Sequence, residues 1–477
     1  MKHEQLAEAL DQIRNEYIAE AAQPPKRRYL PWVSAVAALV ALTLTVALVR
    51  PGQPAPGQLA QPTEAVDPQQ YLLAQPQYPQ VSDYPVTYTD SSYDAWRNDQ
   101  AALHNQPEGY ADNLQAYFAG VIPTLMGGRE GENVTCSPVS LYMALAMLAE
   151  TTGGESRAQI LQLLQADSIE ALRTQAGQVW KAHYNDDGIT TSLLATSLWL
   201  HEAVEYKETT VNAVAEYYYA SVFRGALGSE EMNGALRGWL NENTGGLLQD
   251  QVGQVSLSPN STLAIASTVL YQDQWLTEFR SENNTQETFH GPAGQTQETF
   301  MHRELTYGPY YQSDNFGAVY LDLESGGRMW LLLPREGVTP ESLLSSGEVT
   351  AFFGGGRRTE QRIIVDLSVP KFDVAADMDF VAQLKLLGIT DIFQPGVADF
   401  SNLILLEDGG YVSQVKHAAR VTIDEKGVTA AAFTVIDRCG AAMPPTERIT
   451  FTLDRPFLFY IESQDGLPLF AGIVNEP

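Results

Sequence analysis

Apolar residues recur at three- and four-residue spacing over the region that follows residue 109. The spacing runs through YADNLQAYFAGVIPTLM (110–126), SPVSLYMALAMLAETT (137–152), ESRAQILQLL (155–164) and SIEALRTQAGQVWKAHY (168–184). It places the apolar side chains on one face of a helix. Ser137 and Pro138 give the second stretch a favourable N-cap and first-turn residue. The pattern therefore predicts four helices.

Further along the chain the pattern changes to short runs that are rich in β-branched and aromatic residues, which are typical of strands. These runs include TSLLATSLWLH (191–201), STLAIASTVLYQ (261–272), FGAVYLDLES (316–325), RMWLLLPRE (328–336) and QRIIVDLSVPKFDVAA (361–376). The chain ends with two strands around a turn at 464–466. Helices come mostly early and strands mostly late, without alternation. This order predicts an α+β fold in one large domain, 110–477.

The first 109 residues differ from the rest in composition. Residues 29–49, YLPWVSAVAALVALTLTVALV, carry no charge. About 20 apolar residues span a membrane core, so this stretch predicts a transmembrane helix. Basic residues at 26–28 precede it, which places the N-terminus inside and the bulk of the chain outside. A cleaved signal peptide is the alternative.

Residues 50–109 are rich in Pro, Gln, Ala and Tyr. Such a composition buries too little apolar surface to fold and predicts a semi-extended stalk. The predicted organisation is a cytoplasmic tail (1–28), a transmembrane helix (29–49), the stalk (50–109) and the large domain (110–477). It implies a single-pass cell-membrane protein with an extracellular domain, and secretion is the alternative.

Charge and motifs exclude several classes of function. The net charge of −29, from 29 basic and 58 acidic residues, argues against a nucleic-acid partner, because phosphate binding needs a basic face. The two cysteines, Cys136 and Cys439, are too few for a structural zinc site, and the histidines form no HExxH pair. No GxSxG elbow, P-loop or GxGxxG motif opens a helix after a strand. We therefore predict no metal, no cofactor and no enzymatic activity.

From residue 110 to the C-terminus, an ordered set of motifs resembles the serpins, the serine-protease-inhibitor superfamily. The set is NVTCSPVS (133–140), LRGWLNENTGGLLQDQV (236–252), VLYQDQW (269–275), VPKFDV (369–374), LGITDIF (387–393), ADFSNL (398–403), VSQVKHAARVTIDEKG (412–427), RPFLFYI (455–461) and LFAGIVNEP (469–477). The resemblance implies a serpin fold, in which helices pack around three β-sheets and a reactive-centre loop is exposed. It further implies an inhibitory member of a bacterial, membrane-anchored type.

The resemblance assigns DEKGVTAAAFTV (424–435) to the hinge of that loop. The implied hinge residues are Glu425, Gly427, Val428, Thr429, Ala430, Ala431 and Ala432. A strand that enters the middle of a sheet needs small side chains and every backbone N–H, and no proline occurs between Gly427 and Met443. With a period of two, one face would carry Val428, Ala430, Ala432, Thr434 and Ile436, and the other Thr429, Ala431, Phe433, Val435 and Asp437. The first set is small to medium in size and mostly apolar, which suits a buried face.

The resemblance also implies residues that control the opening of the central sheet, at regions called the shutter and the breach. They are Asn133, Ser137, Ser140, Ser267, Trp275 and His417. Ser267 stands where the family usually has an asparagine, and this departure puts the ease of sheet opening in doubt. In the family the scissile bond lies about sixteen residues after the hinge glutamate. Counting from Glu425 gives the bond Ala441–Ala442, and a shift of one residue, to Gly440 or Ala442, is the alternative.

The implied function is suicide inhibition of serine proteases. A protease attacks the loop, forms an acyl-enzyme, and is trapped when the cleaved loop inserts into the central sheet. Alanine before the scissile bond suits the small pocket of an elastase-like enzyme, while cleavage after Arg438 by a trypsin-like enzyme is the competing prediction. The predicted partners are serine proteases and a membrane, and the chain is expected to be a monomer. A non-inhibitory serpin that acts as a surface binding module is the alternative.

Overall fold

The computed structural model describes residues 66–85, 89–249, 253, 255–354, 361–405, 410–428 and 445–477. The chain divides between Gln61 and Pro62, and every described residue belongs to the second unit, Pro62–Pro477. Some predicted features lie outside the described residues. They are the cytoplasmic tail, the stretch 29–49, the hinge residues Thr429, Ala430, Ala431 and Ala432, and the bond Ala441–Ala442.

Ten α-helices occur in the described part of the chain. They are α1 (Asp90–His104), α2 (Leu114–Met126), α3 (Pro138–Thr151), α4 (Gly154–Leu163), α5 (Ile169–His183), α6 (Glu208–Tyr218), α7 (Glu230–Glu242), α8 (Pro340–Leu344), α9 (Gly347–Phe353) and α10 (Val381–Leu386). At the start of α3, the hydroxyl of Ser137 accepts a hydrogen bond from the N–H of Ser140, and Pro138 takes the first helical position. Every residue of α3 is buried.

Seventeen β-strands occur in the same described residues. They are β1 (Leu72–Ala74), β2 (Val134–Cys136), β3 (Asn185–Asp186), β4 (Thr191–His201), β5 (Ala220–Gly225), β6 (Leu263–Gln274), β7 (Thr285–Gly291), β8 (Gly294–Gln312), β9 (Phe316–Asp322), β10 (Arg328–Pro334), β11 (Gln361–Pro370), β12 (Phe372–Asp379), β13 (Val412–Ile423), β14 (Gly427–Val428), β15 (Arg448–Thr452), β16 (Phe457–Glu462) and β17 (Pro468–Val474). The predicted helices correspond to α2 to α5, and the predicted strands to β4, β6 and β9 to β12. The α+β class is confirmed.

The strands form two hydrogen-bonded sheets. Sheet I has eight strands in the order β1-β5-β4-β6-β14-β13-β12, with β3 beside β4. Sheet II has nine strands in the order β15-β11-β8-β9-β10-β16-β17-β2, with β7 beside β8. The long strand β8 pairs with β7, β11 and β9 along its length. Because β8 bridges its neighbours, the described strands form two sheets, whereas the resemblance implies three. Sheet II takes the place of two of them.

Sheet I is covered on both faces over its centre. On one face α3 contacts β4 and β6, and α3 also contacts β17 of sheet II. On the other face Trp239 of α7 packs in a cluster with Trp199 of β4, Ala266 of β6 and Ala418 of β13. Strands that are buried on both faces have nearly continuous apolar sequences instead of alternating ones. This explains the unbroken apolar runs in β4 and β6.

The structure differs from the predicted stalk, 50–109, over its described part. Leu72–Ala74 forms β1 and pairs with β5 at the edge of sheet I. The ring of Tyr78 stacks on that of Trp180, with centroids 5.1 Å apart. Asp90–His104 forms α1, which contacts α5. A segment too poor in apolar residues to fold by itself gains structure here because it adds to the edge and surface of a folded domain.

The predicted single-pass cell-membrane localisation is contradicted. In the part of the chain that the structure describes, no helix has the length and apolar character needed to cross a membrane. The longest described helices, α1 and α5, have 15 residues each. At 1.5 Å per residue they reach about 22 Å, which is short of a hydrocarbon core of roughly 30 Å. The stretch 29–49 that motivated the prediction lies outside the described residues.

Candidate functional site

The boundary between β6 and β13 runs through the middle of sheet I, and we refer to it as the seam. At its lower end the two strands pair in parallel, up to Thr268 on β6 and Ala418 on β13. Above this point lie residues 269–272 of β6 and 419–422 of β13. Within the described residues, no strand pairing joins these two segments across the seam. The seam is therefore closed at the bottom only.

The upper end of the seam holds β14, which consists of the first residues of the predicted hinge. Gly427 pairs with Gln274 of β6, while Val428 pairs with Asp273 of β6 and with Ile423 of β13. β14 is antiparallel to both neighbours. The chain thus enters the middle of the sheet for two residues.

A tight turn from β13 into β14 directs the chain between the two strands. The carboxylate of Asp424 accepts hydrogen bonds from the N–H groups of Lys426 at 2.8 Å and Gly427 at 3.2 Å. Trp275, which is fully buried, donates its indole N–H to the carbonyl oxygen of Asp424 at 2.9 Å. The backbone N–H of Trp275 donates to the carbonyl oxygen of Lys426 at 2.8 Å. The turn is therefore fixed both by its own side chain and by the tryptophan after β6.

Glu425 fastens this turn to the neighbouring loop and strand. Its Oε1 lies 2.6 Å from Nζ of Lys371 and also accepts a hydrogen bond from the side-chain amide of Asn284. Its carbonyl oxygen accepts from the N–H of Phe279 at 2.8 Å. Burial opposes ionisation of the carboxyl group, but the hydrogen bonds from Lys371 and Asn284 outweigh it and lower the pKa of Glu425. The carboxylate form therefore holds the turn that precedes β14.

The two residues of β14 are packed against β6 without spare room. A Cβ atom at Gly427 would lie 2.1 Å from the carbonyl oxygen of Asp273 and 2.7 Å from Cα of Gln274, so only glycine fits. Val428 is 1% exposed and belongs to the same apolar core as Ile423. Val428, a residue of the predicted hinge, is thus buried inside the sheet.

A polar cluster around His417 closes the lower end of the seam. Nε2 of His417 accepts a hydrogen bond from the backbone N–H of Ser137 at 3.0 Å, so Nδ1 carries the proton and donates to the hydroxyl of Ser267 at 3.1 Å. Burial of the ring lowers the pKa of His417 to about 4. The ring also stacks on Phe380 at 5.2 Å. The neutral imidazole therefore links β13 to β6 and to the start of α3.

The remaining residues of the predicted shutter lie in two different places. Ser140 lies one turn into α3, where its buried hydroxyl has no hydrogen-bond partner among the described residues. Asn133 instead binds the C-terminal segment. Its side-chain amide donates to the carbonyl oxygen of Glu476 at 2.6 Å, and its Oδ1 accepts from the N–H of Asn475 at 2.7 Å. Asn133 therefore orders the end of the chain, and neither of these two bonds reaches the seam.

Two contributors to the site were missed by sequence reasoning. Thr268 donates its hydroxyl to the carbonyl oxygen of Ala418 at 2.9 Å, which adds a second bond across the seam. Lys371, the partner of Glu425, lies inside the motif VPKFDV but was given no role. In each of these two pairs the residues lie far apart along the chain, so their spacing in the sequence does not predict the contact.

Comparison with known proteins identifies the fold and the family. The family model described as "Serpin (serine protease inhibitor)" matches residues 121–477. The chain belongs to the serpin family. It is 27% identical over 392 residues to plasminogen activator inhibitor 1 of Bos taurus, which covers 78% of this chain and 94% of the bovine protein. It is 29% identical over 394 residues to a serine proteinase inhibitor of Cavia porcellus, covering 79% and 92% of the two chains.

Among solved structures, the thermophilic serpin tengpin in its native state is similar to this serpin. The TM-score is 0.70 at 24% identity, and the match covers 83% of this chain and 98% of tengpin. The serpin fold predicted from the motifs is therefore confirmed. Serpins are described as protease inhibitors and not as catalysts, in agreement with the prediction that the chain is not an enzyme. The described residues 66–85 and 89–120 lie before the segment that matches the family model.

Proposed function

We propose that this serpin inhibits serine proteases by inserting its cleaved reactive-centre loop along the seam. The observation that supports this most is the position of Gly427 and Val428 between β6 and β13 in the uncut chain. The loop therefore starts in the correct register, and the unpaired segments 269–272 and 419–422 lie directly ahead of it. Two relatives, of Bos taurus and Cavia porcellus, are named as inhibitors.

The proposed trap begins as an ordinary proteolytic step. The serine Oγ of the protease attacks the carbonyl carbon of Ala441, and the bond to the nitrogen of Ala442 breaks, so that an acyl-enzyme ester forms. The freed loop then adds a strand to sheet I and carries the attached protease with it. Hydrolysis of the ester needs catalytic groups held to within about 1 Å, so distortion of the protease stalls it. One chain suffices for this mechanism, and we expect a monomer.

The observed register can be continued through the inserted loop. Val428 pairs with Asp273 and Ile423, so each further residue of the loop would face one position lower on both strands. Thr434 would then lie between Ser267 and His417. The hydrogen bond that now joins these two side chains would be lost, and the hydroxyl of Thr434 would replace it by bonding to them. A polar residue at this one position suits the polar cluster that it would enter.

The same register gives a matched pair of test positions in the hinge. Ala430 would face Tyr271 and Val421, both buried, whereas Ala431 would face Arg420 on the opposite side of the sheet. An unpaired carboxylate on the buried face costs several kcal/mol. Ala430→Glu should therefore slow insertion until the acyl-enzyme hydrolyses, whereas Ala431→Glu should leave the trap working.

The experiment mixes the wild-type chain and the two variants with elastase and with trypsin. We expect an SDS-stable complex of wild type and Ala431→Glu with elastase, and only a cleaved chain from Ala430→Glu. Sequencing of the released C-terminal peptide should give Ala442 as its first residue. An alanine side chain suits a small protease pocket, with discrimination of about 1–3 kcal/mol per methylene-sized contact. Fast inhibition of trypsin with cleavage after Arg438 would rule out the elastase-like target.

The second candidate function is that of a non-inhibitory serpin that serves as a binding module. It predicts cleavage of the wild-type loop by both proteases without any covalent complex. The residues at positions 430–432 are small, and no proline occurs between Gly427 and Met443. Both features favour the inhibitor. The bacterial type implied by the motifs stays a prediction.

A further inference from the structure

A cavity of about 240 Å³ lies where α1 meets the end of α5 and the start of β4. One wall comes from the segment that precedes the family match, with Tyr84, Trp96, Gln100 and His104. The other walls come from the domain itself, among them His183, Asn185, Asp187 and Tyr271. The cavity therefore exists only because the N-terminal segment covers this surface.

Several buried polar atoms around the cavity lack a hydrogen-bond partner among the described residues. They are the indole nitrogen of Trp96, both side-chain amide atoms of Gln100, Nε2 of His183 and Oδ1 of Asn185. Gln100 is 9% exposed and His183 is 4% exposed. A buried polar group without a partner is destabilising, so such groups normally mark bound water or a bound ligand. Four residues with this property around one cavity indicate an occupant.

The unpartnered atoms are mostly acceptors. Nδ1 of His183 contacts the carbonyl oxygen of Val179 at 2.7 Å and therefore carries the ring proton. Burial lowers the pKa of His183, which keeps the ring neutral and leaves Nε2 as a bare acceptor. The side-chain oxygens of Gln100 and Asn185 are acceptors as well. An occupant that donates three hydrogen bonds would satisfy these three acceptors, and the two unpartnered donors, on Trp96 and Gln100, would bond to water.

The charge and the rings around the cavity favour a cation. Asp187 is 4% exposed and Glu324 also lines the cavity, while none of the lining residues is lysine or arginine. The rings of Tyr84 and Trp96 meet edge to face at 5.0 Å, and Tyr271 adds a third ring. Aromatic faces attract ammonium and guanidinium groups, and the net charge of −29 adds a long-range attraction. A metal ion is less suitable, because no group of three or more His, Cys, Asp or Glu residues that could hold one occurs among the described residues.

We propose that this cavity binds a small organic cation with N–H donors, an aliphatic amine or a guanidinium compound. The ammonium or guanidinium group would donate to His183, Asn185 and Gln100 and lie against the ring of Trp96. Of its lining residues only Tyr271 lies in the seam, in the unpaired segment 269–272, and none belongs to the predicted hinge. It also bridges the N-terminal segment and the domain, so an occupant would hold the two together.

The test measures binding of putrescine and of agmatine to the full chain by calorimetry. The neutral compound 1,4-butanediol has the shape of putrescine without its charge and serves as the ligand control. We expect saturable binding of at least one of the two cations, with at least tenfold weaker binding of the diol. Binding of the diol as tight as that of putrescine would show that the site does not select a cation, and no binding of either cation would mean that the cavity holds water only. Either result would overturn the proposal.

Two variants of Asn185 keep the test independent of folding. Asn185→Asp adds a carboxylate of nearly the same shape and should tighten binding severalfold, whereas Asn185→Leu should weaken it tenfold or more. Glu216→Gln removes an exposed carboxylate of α6 and controls for general attraction of cations to an acidic protein. It should leave the affinity unchanged. Equal affinities in wild type and both Asn185 variants, or an equal loss in Glu216→Gln, would contradict a site in this cavity.

Discussion

Sheets I and II are parts of one chain but differ in the residues that are buried at their centres. In sheet II every residue of β16 and β17 is buried, and large side chains of neighbouring strands pack on one another, such as Tyr320 of β9 and Trp330 of β10, whose ring centroids are 4.7 Å apart. Along the seam of sheet I, the buried residues include Ser267, Thr268 and His417. These residues add polar contacts at 2.9 and 3.1 Å to the parallel backbone pairing of β6 and β13, which stops at Thr268 and Ala418.

The difference separates the part of the molecule that stays fixed from the part that can change. Apolar burial stabilises by about 25 cal/mol per Å² and depends on complementary shape, so the strands of sheet II cannot part without a large loss. A hydrogen bond across the seam contributes only about 1 kcal/mol net, and an inserted strand can replace it. This is why the proposed function assigns the inserted strand to sheet I.

The largest effect is expected from a truncation in sheet II. Phe459 is fully buried, and Phe459→Ala should lower the free energy of unfolding by about 3–5 kcal/mol. The loss should be equal in the intact and the loop-cleaved chain, because sheet II keeps its strands in both. Denaturant unfolding of the two forms measures this. Leu386→Ala, at a side chain that is 81% exposed, is the control and should change stability by less than about 0.5 kcal/mol.

A loss that appeared in only one of the two forms would show that sheet II also rearranges. The contrast between the two sheets would then be wrong.

The next effect concerns the stability of the seam as a function of pH. The pKa of His417 falls from an ordinary 6.5 to about 4, so the unfolded chain binds a proton below pH 6.5 that the folded chain does not. Stability from this group is therefore complete above pH 6.5 and is lost as the pH falls towards 4. The loss is on the order of 3 kcal/mol. Unfolding of wild type and His417→Gln between pH 4 and 7 measures the difference.

The variant should lose most of the dependence on pH in this window. His183 is also buried with a lowered pKa, so His183→Gln is the matched control and should leave the contribution of His417 in place. The contrary result would be a wild-type chain that becomes more stable than His417→Gln as the pH falls from 6.5 to 4. It would contradict a neutral imidazole in the seam.

A smaller effect is expected at the entrance of the seam. Gly427→Ala would place the new methyl carbon 2.1 Å from the carbonyl oxygen of Asp273, which is far too close. Overpacking of this kind costs typically about 1–3 kcal/mol, so the midpoint of thermal unfolding should fall. Gly120→Ala in α2 has no heavy atom within 4 Å of the new carbon and should be neutral or slightly stabilising. Equal effects of the two substitutions would mean that β14 does not occupy the seam in solution.

The sequence predicted the elements well because helix and strand patterns are local. The order of helix and strand patterns gave the α+β class. Residue spacing and the Ser137 cap gave the bounds of α3, and a run of β-branched and aromatic residues gave those of β4. The contacts that make the site did not follow, because His417 and Ser267 meet only through strand pairing across 150 positions. Asn133 was grouped with them by motif alone, although it binds Asn475.

The N-terminal segment was misjudged for a related physical reason. Composition tests whether a segment can fold alone, whereas Leu72–Ala74 and α1 are ordered by a domain that already exists. The stacking of Tyr78 on Trp180 could not be read from either local sequence. Contacts of this kind depend on the surface that the rest of the chain presents.

The most direct test of the central claim compares the heat resistance of the chain before and after its loop is cut. If the loop inserts along the seam, the strand adds backbone hydrogen bonds and apolar burial to sheet I. The elastase-cleaved chain should then unfold at a clearly higher temperature than the intact chain, and Ala430→Glu should abolish most of this gain. A cleaved wild-type chain that unfolds at the same or a lower temperature would contradict insertion at the seam.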